Sequence, residues 1–222
     1  MEKPLTSILN KLNNLAVEKR KNMYVKQGVK EEILGVNLGD LRKLSSKIKI
    51  HHELALELWN TNIFEARIIA CNIFDLTKID TSLFVKLIES TETGSVIDEL
   101  SFRLYEHKNQ IELFDIWVID KDVRLKRVAW NIAILMNHNN ELNDNQVDKI
   151  LNIIENNLAQ ADSMIQFTMN RCLSEIGIKN KSFTQRCISI GEKLGVYKSM
   201  KVSKGCVSPY APTWINSVIN KK

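Results

Sequence analysis

Apolar positions recur close to every 3.6 residues along most of the chain, a period that predicts amphipathic helices. Leu5, Ile8, Leu9, Leu12, Leu15 and Ala16 mark the first. The stretch GVKEEILGVNLGDLRKLSSKI, with Gly35 and Gly39 close together, reads as a loop followed by a short helix through Leu41, Leu44 and Ile48. Beyond it the pattern predicts paired helices: 51–60 with 63–75, 80–92 with 95–107, 110–118 with 122–136, 143–159 with 163–176, and another starting near 181. Short polar breaks separate them, and several supply the Asp, Ser, Thr or Asn that an N-cap needs.

The pair starts at 51, 80, 110, 143 and 181 lie 29, 30, 33 and 38 residues apart. Two helices per unit at that period is the pattern of a HEAT- or armadillo-like solenoid. The expected fold is therefore all-α: antiparallel helix pairs stacked into one domain over 1–222, with a concave face. Its parts would be N-terminal helices over 1–50, repeats over 51–195 and a C-terminal strap over 196–222. An irregular helical bundle is the competing architecture. In the strap, KGCVSPYAPTW excludes a regular helix until Pro212, which suits the first turn of a last short helix.

Eight glycines and three prolines in 222 residues agree with a helical chain. No apolar run is long enough to span a membrane, and the N-terminus lacks the pattern of a signal peptide, so a cytoplasmic location is expected. Cys71, Cys172, Cys187 and Cys206 form no CxxC pair and read mostly as core thiols. The four histidines show no metal-ligand spacing, and neither a metal nor a cofactor is expected. Charge is distributed unevenly. Residues 1–50 hold 11 Lys and Arg against 5 Asp and Glu, residues 51–175 hold 11 against 20, and residues 176–222 hold 9 against 1. The basic ends either hold to the acidic middle or meet a polyanion.

In a helical repeat array the second helix of each pair usually lines the concave side. Those helices carry Glu65 and Arg67, Asp98 and Glu99, Arg124 and Arg127, and Asn170 and Arg171 among apolar neighbours. They form either an internal ladder, such as Arg67 to Asp98 to Arg127, or a polar groove. The helix after Asp122 opens with Arg124, Lys126 and Arg127, although cations are mildly unfavourable near a helix N-terminus. A solvated face explains them, and so does a surface facing DNA.

The motifs GVNLGDLRKLSSKI, LWNTNIFEARIIACNIF, VIDELSFRL, RLKRVAWNIAIL and IQFTMNRCLSEIG, and the tail KVSKGCVSPYAPTWI, appear in that order from about residue 24 onward. In order and spacing they resemble the AlkD-like DNA alkylation repair family, HEAT-like-repeat glycosylases that excise N3- and N7-alkylated purines from duplex DNA. The resemblance places the catalytic carboxylate at Asp98 and the facing arginine at Arg127. It places the family's two site tryptophans at Gly94 and near Ser174, so both are absent here. A carboxylate there would stabilise the oxocarbenium-like sugar as the base leaves. Arginine would clamp a flanking phosphate. Trp59, Trp117 and Trp130 are either substitutes for the missing aromatics or packing residues.

Two functions follow. The first is a DNA alkylation repair-like protein on duplex DNA, with or without base excision. Asp98 would be catalytic, and Arg127, Arg124, Lys126, Arg67, Arg171 and Lys204 would contact DNA, chiefly its backbone. The second is a non-catalytic scaffold for a protein partner, which the acidic middle section favours.

Overall fold

The computed structural model describes residues 3–104 and 110–220. Among them the only β feature is an isolated bridge between Glu32 and Ile63. The chain divides into two compact units, 1–107 and 108–222.

The first unit contains α1 (Pro4–Leu15), α2 (Glu18–Lys26), α3 (Leu38–Ile48), α4 (His52–Asn60), α5 (Phe64–Ile73), α6 (Thr81–Glu89) and α7 (Gly94–Leu104). The second contains α8 (Gln110–Trp117), α9 (Val123–His138), α10 (Asp144–Asn157), α11 (Ser163–Lys179), α12 (Thr184–Leu194) and α13 (Ala211–Ile219). Every helix expected from residue 51 onward is present, with starts within three residues of the expected ones. The expected end of α7 at 107 lies outside the described residues. Polar breaks act as N-caps: Asp80 accepts from the Leu83 amide at 2.7 Å and Asp162 from that of Met164 at 2.7 Å, while Asn143 and Gln146 form a capping box.

Helix α2 was not visible in the apolar pattern, because EKRKNMYVK has no apolar stripe and buries only Tyr24. That one side chain anchors it. The Tyr24 ring lies 4.8 Å from that of Phe64, and its hydroxyl donates to the Val36 carbonyl at 2.8 Å.

In the first unit α4 packs on α5, and α3, α5 and α7 follow one another as packed neighbours. Almost all of α5 is buried, from Phe64 through Cys71 and Ile73. In the second, α9 packs against α8 and α11, and α12 and α13 close over α11. The close approach of α13 requires glycine. A Cβ on Gly177 would lie 2.7 Å from Ile215 Cδ1, and one on Gly191 would lie 2.6 Å from Pro212 Cδ. The proline ring cannot swing aside. Gly191→Ala is expected to destabilise the protein by about 1–3 kcal/mol, read from the urea midpoint, because overpacking forces the helices apart.

Cys71, Cys172 and Cys187 are buried and Cys206 is exposed. Burial raises all three enclosed thiols, that of Cys187 to about 12, so they are inert fillers at neutral pH. Among the described residues no helix is long and apolar enough to cross a membrane.

Candidate nucleic-acid interface

Each unit carries its own set of candidate groups. In the first, α3, α5 and α7 border a cleft of about 430 Å³ lined by Arg42, Ser46, Lys49, Asn72, Glu99 and Arg103 among others. The Asn72 amide donates to Glu99 at 2.9 Å, and Arg103 donates to the Asn72 oxygen. These bonds join α5 to α7 and fix the Arg103 guanidinium at the rim. Arg42 and Lys49 are exposed. Lys49 ends α3 at φ 62 and ψ −165, a conformation almost restricted to glycine. Strain of that kind concentrates at binding sites, and here it occurs on one of the three cations of the cleft. Asp98 precedes Glu99 on α7 and is half-buried.

Arg67 was expected to contact DNA. The structure corrects that assignment. Arg67 is 5% exposed, and its Nη1 lies 2.8 Å from Glu31 Oε1, itself in a residue 7% exposed. Its guanidinium also sits 5.0 Å from the centre of the Trp59 ring, and its Nε donates to the Trp59 carbonyl. Thr91 and Thr93 donate to the same carboxylate, so the loop at 31, the loop at 91–93 and α5 meet on one buried pair. Burial would raise the Glu31 carboxyl. The hydrogen bonds from Thr91, Thr93 and Arg67 outweigh it and hold the group below its ordinary value. The expected ladder from Arg67 to Asp98 is thereby replaced by a pair with Glu31.

Glu65 is internal too. It is fully buried and accepts the backbone amides of Leu34, Gly35 and Val36 at 3.1, 2.7 and 3.1 Å. Gly35 is required there: its φ is +103, and a Cβ would lie 2.6 Å from the Val17 carbonyl.

In the second unit Asp122 caps α9 and binds Arg124, whose Nη2 is 2.6 Å from Asp122 Oδ2. The hydrogen bonds from Arg124 hold the Asp122 carboxyl below its usual value. This local anion offsets the cations that open the helix. Arg127 is half-buried and donates to the Met164 carbonyl in the first turn of α11. Lys126 lines a cleft of about 620 Å³ together with Lys121, Ile119 and Asn157. Arg171 on α11 is half-buried, with Nε 3.6 Å from Glu175, and Lys204 is exposed in the segment before α13.

Of the four tryptophans, Trp59, Trp117 and Trp130 are 2%, 4% and 1% exposed. Trp59 also donates to Ser90 at 2.9 Å, and Trp130 meets Phe114 edge-on. They are packing residues and not surrogate walls for a site. Ser174 is fully enclosed and donates to the Asn170 carbonyl within α11. Among the described residues no three His, Cys, Asp or Glu side chains are grouped to hold a metal ion.

Sequence reasoning missed Arg42, Lys49, Asn72 and Arg103. The signal for Arg103 was available: it stands four residues after Glu99, on the same helix face. Lys49 had none, since its role depends on the conformation at the end of α3.

Comparison with curated proteins finds no match. A solved structure described as "A new family of proteins related to the HEAT-like repeat DNA glycosylases with affinity for branched DNA structures" is similar in fold. Its TM-score is 0.85 at 20% identity, covering 99% of this chain and 95% of that one. The helix pairs are accordingly a HEAT-like repeat fold. The family model described as DNA alkylation repair enzyme matches residues 6–215, nearly the whole chain, and the chain therefore belongs to the DNA alkylation repair enzyme family.

Proposed function

We propose that this protein binds DNA through phosphate contacts, prefers branched over blunt duplex DNA, and does not excise alkylated bases. The observation that carries the reading is the cleft across α3, α5 and α7, where Arg42, Lys49 and Arg103 surround an ordered Asn72–Glu99 pair. Cations at the two sides of the cleft, Arg42 and Lys49 from α3 and its end and Arg103 from α7, suit a polyanion and read its backbone, not its sequence. Family membership supports DNA as the partner. The affinity for branched DNA stated for the similar solved structure supports the preference.

The missing aromatics argue against excision. Family glycosylases hold a cationic lesion against tryptophan faces through cation–π attraction. Here glycine occupies position 94, Ser174 is enclosed, and the sole tryptophan of the first unit is buried beneath Arg67. A half-buried Asp98 has no such wall from its own unit. Its carboxylate would repel phosphate and help to define where the backbone runs.

The test is binding to a four-way junction, a three-way junction and a blunt duplex, alongside base release from N3- and N7-methylated duplex. Expected are tighter binding to the junctions and no release by wild type or Asp98→Asn. Release by wild type that Asp98→Asn abolishes would restore Asp98 as the catalytic carboxylate. Binding to none of the DNAs would point to the protein-interaction scaffold.

A further inference from the structure

The C-terminal segment and α11 assemble a group of aromatic residues that phosphate binding leaves unused, together with basic residues on the same elements. Phe167, on α11, is 44% exposed. Its ring centroid lies 6.1 Å from that of Tyr197 and 6.4 Å from that of Trp214. Both neighbours are half-buried. The interplanar angles of 64° and 34° leave the rings unstacked on one another.

The platform is held firmly. Tyr197 stands at φ 63, an outlier for a bulky side chain, two residues after the left-handed Gly195 that ends α12. Trp214 belongs to α13, whose Ile215 and Pro212 press on Gly177 and Gly191. The segment between them is tied to α11 by the buried Asn170 side chain, which donates to the Pro209 carbonyl at 2.7 Å. Its charge is of one sign. Lys198, Lys201 and Lys204 are exposed along it, and Arg171 follows Phe167 by one helical turn.

Aromatic faces beside a run of cations, with no acidic residue from 193 to 222, match a ligand that is both flat and polyanionic. A protein surface would not require that charge, and an intact duplex keeps its base faces covered. We propose that Phe167, Tyr197 and Trp214 form a stacking platform for unpaired bases of DNA, with Lys198, Lys201 and Lys204 on the adjoining phosphates. This rests on the DNA-binding reading above. It gives branched DNA a physical reader, because junctions and forks expose unstacked bases where blunt duplexes do not.

The test uses the full chain and three DNAs: a blunt duplex, the same duplex with an unpaired thymidine arm, and the same arm made abasic. Wild type is expected to prefer the thymidine arm over both others by about 5- to 150-fold, the range that stacking one base on an aromatic ring supplies. Phe167→Ala removes that preference and leaves blunt-duplex affinity unchanged, and Phe167→Trp retains it. Tryptophan fluorescence falls on binding the thymidine arm, and Trp214→Phe abolishes the change. Equal wild-type affinity for the thymidine and abasic arms would overturn the platform while leaving phosphate binding intact, as would a preference that survives Phe167→Ala. Wild type that binds none of the three DNAs would remove the DNA-binding reading itself, and the platform with it.

Discussion

Replacing Arg67 by methionine is expected to lower the unfolding free energy by about 3–5 kcal/mol, because it leaves Glu31 as an uncompensated buried charge. The pair sits at 5% and 7% exposure, so water cannot replace the lost partner. Thr91 and Thr93 would still donate to the carboxylate, which moderates the loss without cancelling it. The cation over the Trp59 ring would go as well. Urea unfolding followed by circular dichroism measures the effect. Affinity of the still-folded Arg67→Met protein for duplex DNA should match wild type, and a selective loss of affinity would return Arg67 to the DNA surface.

The same pair gives acid sensitivity a definite sign. The folded Glu31 carboxyl is held below its ordinary value of 4.5. Its stabilising contribution is therefore complete above that value and is lost as pH falls through the lower folded value. In Glu31→Gln this part of the acid destabilisation is expected to disappear, and the stability at neutral pH is lower from the start. Comparing unfolding midpoints of the two proteins between neutral pH and pH values below 4.5 tests this.

The contrast between Arg67 and the helices explains which features were readable in the chain. Helix α9 announced itself through Val128, Ala129, Ile132 and Met136 and through the Asp122 cap, all features within a few residues of one another. The fate of Arg67 depended on Glu31, 36 positions away, and on hydroxyls more than 20 positions further along. A helical period places Arg67 and Asp98 on corresponding helices, but it does not say that α5 is buried on nearly all sides. Glu65 was equally opaque, since its partners are backbone amides and carry no side-chain signature. The motif at Gly35 hinted at an unusual backbone without indicating which carboxylate would fill it.

Affinity for a blunt duplex should fall steeply with salt, and the slope reports how much of the surface is engaged. Each neutralised phosphate contributes about −0.9 to the slope of log affinity against log salt. Arg42, Lys49 and Arg103 of the first unit alone predict a slope of about −2.7, or roughly a 40-fold loss from 50 to 200 mM salt. Adding Arg124, Lys126, Arg171 and Lys204 predicts about −6, close to four powers of ten. The larger value is expected, because the cleft cations are few and the second unit carries the longer set. Arg42→Gln and Arg103→Gln should each reduce the slope by about 0.9, whatever the DNA sequence. Arg103 differs from Arg42 in one respect: its guanidinium is already oriented by Asn72, so its loss should also shorten the lifetime of the complex. A slope near zero would mean that binding, if present, is not made by phosphates. A slope near −2.7 that Lys126→Gln and Arg171→Gln leave unchanged would confine the interface to α3, α5 and α7.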